Sequence, residues 1–164
     1  MATPCSVMLA TLAAIACATC AKRDDLGAMR DEGVVLGPYY RQALDDLTRR
    51  SERIIARGQA LRSPVPGADR AGAQLKAAGQ TIGELRKIVG VGSGKSPLDT
   101  KLDEATRDGD LDALTRIVEE TRAKLAHGIR LTNDRLSDVE TWLVEAEASV
   151  KLQPPPAERA MLGP

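Results

Sequence analysis

The residues whose types could do chemistry are few. Cys5, Cys17 and Cys20 are the three cysteines and His127 is the single histidine. Cys17-Ala18-Thr19-Cys20 has the CxxC spacing, but dithiol exchange needs that pair at a helix start beside a strand, and zinc needs two further ligands. The pair stands in an apolar leader and the rest of the chain has no cysteine, so neither a redox centre nor a metal site is expected. His127 precedes Gly128 in a helical pattern, and a catalytic histidine needs a nucleophile and an orienting carboxylate. No nucleophile-elbow spacing accompanies it, so a helix-surface position is expected. Asp45-Asp46 and Glu119-Glu120 are adjacent pairs, which on a helix point about 100° apart and do not converge on a proton. Trp142 lies one position off an apolar seam, beside Leu143, and reads as a core-flanking anchor or a partner contact.

Gly92-Ser93-Gly94-Lys95-Ser96 ends as a phosphate-cradling loop does. Such a loop needs a glycine five positions before Gly94, where Val89 stands, and it must leave a strand and enter a helix at the Lys-Ser. Here a helical pattern precedes the glycines and Pro97 follows at once, so an interhelical linker is expected. No nucleotide, no cofactor and no catalytic residue is implied. The 23 basic and 23 acidic residues are interspersed and sum to zero, which leaves no electrostatic footprint for nucleic acid.

The elements that must position these residues are helical. There are two tyrosines, one tryptophan and no phenylalanine, so a core must come from Leu, Ile, Val and Ala, and no alternating stretch long enough for a strand is present. Residues 1–21 carry no charge, and Val7–Ala16 has the length and composition of a signal h-region. Ala14-Ile15-Ala16-Cys17 resembles the lipobox of bacterial lipoproteins. That resemblance implies that the Cys17 thiol is acylated and becomes the first mature residue, attaching the protein to a membrane. An ordinary secretory signal cut after Ala16 or Ala18, or an uncleaved anchor, are the alternatives for the same stretch. A disordered, Ala-rich leader is the remaining reading, and export is the expectation.

Residues 22–37 hold Gly27, Gly33, Gly37 and mixed charge, which predicts a flexible tether. Pro38 then opens a helix. Tyr40, Leu44, Leu47, Ser51, Ile54, Gly58 and Leu61 form its seam at alternating spacings of four and three. Ser63-Pro64-Val65-Pro66-Gly67 ends it. A second helix over Ala68–Val89 has the seam Ala71, Leu75, Ala78, Ile82, Leu85 and Val89. Two seams of matching phase joined by a short Pro/Gly turn predict an antiparallel hairpin. Ser96 should cap a short helix from Pro97 to Arg107, Gly109 should end it, and Asp110 should cap the next. The long helix of Asp110–Leu152 follows, continuous or broken near Gly128–Asn133. Residues 153–164 form a Pro-rich tail that predicts disorder.

The expected fold is therefore all-α: an antiparallel helical bundle with a coiled-coil hairpin and one long C-terminal helix, the bundle domain spanning residues 38–152. The long helix would reach roughly 64 Å, against roughly 33–39 Å for each hairpin helix. A continuous long helix would then overhang, presenting Leu136, Val139, Trp142 and Leu143 as a bare stripe for a protein partner or a second copy. The functional expectation is a non-enzymatic, envelope-associated interaction or scaffold protein tethered by its N-terminus. A periplasmic module that binds or inhibits a partner protein is the alternative, and an enzyme of unrecognised type is the third reading.

Overall fold

The computed structural model describes residues 5–61, 65–90 and 96–151, with side chains from residue 24 onward. The Cys17 side chain, residues 91–95 and the tail 153–164 lie outside the described residues. Four helices follow in order: α1 (Cys5–Ala60), α2 (Ala68–Ile88), α3 (Pro97–Asp108) and α4 (Leu111–Lys151). The fold is all-α, and among the described residues there is no strand.

The short helix α3 shows how local sequence sets the boundaries. The Ser96 hydroxyl accepts from the Asp99 N–H at 3.0 Å, and the Asp99 carboxylate accepts from the Ser96 N–H at 3.2 Å. This reciprocal capping box satisfies donors that the first turn cannot. Pro97 fills the first helical position, where its missing N–H removes nothing. Gly109 ends the helix at φ 66°, the left-handed conformation that a Cβ disfavours. Asp110 then caps α4, its carboxylate accepting from the Ala113 N–H at 2.9 Å.

The chain divides into two compact units. One is built from Met1–Arg41 and Lys87–Leu125. Its core is Leu36, Leu98, Leu102, Ala105, Leu114 and Val118, with Leu26, Met29 and Tyr40 packed against it. The other is built from Gln42–Arg86 and Ala126–Pro164. Its core is Leu47, Ile54, Ala71, Ala78, Ile82, Leu136, Val139 and Leu143. In this second unit α2 runs antiparallel to α4: Leu85 meets Gly128 near one end, and Gly67 meets Trp142 near the other. The hairpin of α1 and α2 is tied at its open end by an ion pair between Arg86 and Asp45. Helix α4 passes through Gly128 unbroken, because a residue without a side chain is what lets Leu85 sit against its backbone. A methyl group at Gly128 would lie 2.8 Å from a Leu85 methyl.

Two expectations are corrected here. Residues 22–37 are not a flexible tether: they are helical throughout, and Leu26, Met29 and Leu36 pack into the first core. Leu26, Met29, Gly33, Leu36 and Tyr40 follow at spacings of three, four, three and four, so the seam of α1 begins well before Pro38. Gly33 belongs to that seam as its smallest member. A methyl there would lie 2.8 Å from both Leu102 methyls and 3.1 Å from Val118, so the glycine permits close helix packing and does not break the helix. Pro38, in turn, does not open a helix but lies inside α1. It removes one backbone hydrogen bond, a cost of about 3 kcal/mol in an isolated helix, and core packing before it at Leu36 and after it at Leu44 holds the helix together.

Candidate functional site

The expected contact stripe on α4 is not bare. Leu136 and Leu143 are fully buried, Val139 is 2% exposed, and Trp142 packs against the same core from its edge. The stripe is covered because α1 is longer than the expected hairpin helix. Residues 26–36 of α1, with α3, cover the first part of α4, so the hairpin is left to cover the last part. Of the four residues expected to meet a partner, only Trp142 retains substantial exposure.

Trp142 is the centre of an open groove of about 390 Å³ between the start of α2 and the C-terminal part of α4. Helix α4 contributes Asp138, Trp142 and Glu145, one or two turns apart on one face, together with Thr141. Helix α2 and the turn before it contribute Gly67, Arg70, Ala71 and Gln74. The indole N–H donates to the Pro66 carbonyl at 2.9 Å. Gly67 adopts φ 84°, and a Cβ there would lie 3.1 Å from the indole nitrogen, so Pro66-Gly67 is shaped to receive the ring. Sequence reasoning placed Trp142 but missed this partner. The signal was present in the Pro66-Gly67 turn, which only a register between α2 and α4 could align with residue 142.

Elsewhere the charged side chains join helix to helix. Arg50 meets Glu140 with two hydrogen bonds, at 2.9 and 2.6 Å, and also reaches the Ser137 hydroxyl at 2.9 Å. Arg57 grips Glu147 through two bonds of 3.1 Å. Arg30 pairs with Asp103 at 3.0 Å, and Arg122 pairs with Glu32. Arg135 donates to the Thr81 hydroxyl at 3.1 Å. The Arg50 hydrogen bond holds Glu140 below the ordinary glutamate range, and Arg57 does the same for Glu147. These are planar guanidinium contacts that fix helix register, not groups poised for proton transfer.

The remaining candidates of the sequence are dispersed. His127 is exposed. Asp45 turns to Arg86 while its neighbour Asp46 turns to Arg49. Ser96, the hydroxyl that a phosphate-cradling loop would offer to a metal ion, is buried as the cap of α3, and the segment before it leaves a helix rather than a strand. Among the described residues, no three His, Cys, Asp or Glu side chains gather in a way that could hold a metal ion. No helix is long and apolar enough, over the described residues, to cross a membrane.

The chain matches no family model, no curated protein and no solved structure.

Proposed function

We propose that this chain is a non-enzymatic scaffold or interaction protein of the cell envelope, exported and tethered through its N-terminus at Cys17. The observation that carries this reading is the continuity of α1 from Cys5 to Ala60. The helix that bears the lipobox-like Ala14-Ile15-Ala16-Cys17 is the helix whose residues 26–54 build both cores. An anchor at Cys17 would therefore stand only nine residues, or about 14 Å of helix, from the first packed side chain at Leu26. A body coupled so closely to its attachment point is held at the membrane surface, as suits a spacer or scaffold more than a freely ranging domain.

Two features support a protein partner over a small molecule. The ionisable side chains described above are largely engaged in joining helices. Among the described residues, the most exposed large apolar side chains are Val35, at 62%, and Tyr39, at 70%, one turn apart on α1. A pair of that kind, in the first unit, is available to a neighbouring protein.

The test is fractionation of the native host carrying wild type or Cys17→Ser. One acyl chain binds membranes weakly and several anchor stably, so wild type should partition into detergent and Cys17→Ser should be released or left unprocessed. Unchanged processing and partitioning in Cys17→Ser would reject the lipid anchor.

A further inference from the structure

The Trp142 groove differs from the neighbouring face of α4 in what it leaves unpaired. Asp138 precedes Trp142 by one helical turn and Glu145 follows it by one turn, so a carboxylate brackets the indole on either side along the same face. Among the described residues, neither carboxylate makes a side-chain hydrogen bond or ion pair. The next pair of α4 carboxylates at the same seven-residue interval, Glu140 and Glu147, is treated otherwise. Arg50 grips the first through two hydrogen bonds and Arg57 grips the second in the same way. The chain thus supplies an arginine to each carboxylate of one pair and none to the other.

The groove is also shaped for a cation. The indole N–H already donates to the Pro66 carbonyl at 2.9 Å, which holds the ring and leaves its face, rather than a donor, to a ligand. An indole face attracts a cation through its quadrupole, and adjacent carboxylates add their charge. Arg70, on the α2 wall, pairs with neither carboxylate. Two carboxylates against that one guanidinium leave the groove with an excess of negative charge. Gln74, on the same wall, has no partner either and can bond the main chain of an entering segment. Of the two basic side chains, arginine fits better: its plane stacks on an indole while its N–H edge reaches a carboxylate, and it is more weakly hydrated than an ammonium.

We propose that the Trp142 groove receives an arginine side chain of a partner protein, stacked on the indole between Asp138 and Glu145. The proposal rests on the reading of the chain as an interaction protein and names the chemistry of its partner. The tether at Cys17 plays no part in it, so the fractionation of Cys17→Ser and the titration below fail independently.

Trp142 is the single tryptophan, so its one indole N–H resonance in a heteronuclear NMR spectrum reports on the groove. The full chain, in an uncharged detergent, is titrated with the blocked tripeptide N-acetyl-alanyl-arginyl-alanine amide and with its citrulline counterpart, which keeps the shape and loses the charge. The arginine peptide should shift the indole resonance saturably, with a midpoint on the order of millimolar for so small a ligand. The citrulline peptide should bind at least about tenfold more weakly, as the loss of a charge-assisted contact requires. Asp138→Asn combined with Glu145→Gln should weaken the arginine peptide by a similar factor. Both positions are exposed, so helix content by circular dichroism should be unchanged. Arg70→Gln removes the competing cation and should tighten binding, an effect that a merely structural role for Arg70 would not produce. No saturable shift with the arginine peptide, equal shifts from the two peptides, or weaker binding in Arg70→Gln would each overturn the proposal. An indole resonance that moves with protein concentration before any peptide is added would also overturn it, in favour of a second copy as the occupant.

Discussion

Replacing Gly33 by alanine should destabilise the protein relative to the same replacement at Gly27. Both glycines lie inside α1, so each alanine gains the same intrinsic helix propensity, about 1 kcal/mol. They differ in what the new methyl meets. Nothing stands within 4 Å of a Cβ at Gly27, whereas one at Gly33 would lie 2.8 Å from both Leu102 methyls and 3.1 Å from Val118. Leu102 is fully buried and Val118 is 1% exposed, so neither can swing into solvent, and the core or the helix must shift. Overpacking of this kind costs typically about 1–3 kcal/mol. The propensity gain cancels between the two variants, so that cost is the expected difference between them, or roughly 3–10 °C in melting temperature for a domain of this size. Thermal and urea unfolding followed at 222 nm measure it. If Gly33→Ala proved as stabilising as Gly27→Ala, Gly33 would not face Leu102 and the packing described for α1 would be wrong. If neither alanine changed stability by more than about 0.5 kcal/mol, residues 22–37 would behave as an unpacked tether after all.

Two further outcomes follow from the second unit. Leu136→Ala should cost about 2–5 kcal/mol, because the side chain is fully buried, while Val144→Ala, at a position 57% exposed, should stay within about 0.5 kcal/mol; urea midpoints of the two variants check it, and equal effects would mean that the stripe is not covered. Glu140 is held below its ordinary value of 4.5 by the Arg50 hydrogen bond, so the stability it adds is complete above that value and fades as the pH falls through the folded-state value. Glu140→Gln should therefore lower the urea midpoint near pH 7 and converge with wild type near pH 2, and a variant deficit that persists unchanged in acid would refute the charge-based account.

Much of the bundle was legible in the residue pattern, and the failures have definite causes. The bounds of α2, α3 and α4 follow from Pro66-Gly67, Ser96-Pro97 and Gly109-Asp110, punctuation whose chemistry is local and reads directly from sequence. The sequence left a break of α4 near Gly128–Asn133 open; the apolar stripe keeps its phase on both sides, and the helix runs through. The first half of α1 was misread because three glycines and a proline are the signals of a loop. They lose that meaning when a partner helix selects them, as Leu102 selects Gly33, and a partner of that kind is not visible in local sequence. Losing those residues from the bundle made the long helix look too long for its neighbours and exposed Val139 and Leu143 on paper. Trp142 was placed at the edge of the seam, as found, but its acceptor Pro66 lies 76 positions away. Only the register of two helices brings them together.

Helix α1 is packed both before and after Pro38, and amide hydrogen exchange of the full chain in detergent reads this at each stretch. The peptides to compare cover residues 26–37, where Leu26, Met29 and Leu36 pack, and residues 44–54, where Leu44, Leu47 and Ile54 are buried. Strong protection is expected in both, since amides in a packed helix exchange only through local or global opening. Exchange of residues 26–37 at the rate of an unstructured peptide, with residues 44–54 still protected, would contradict it.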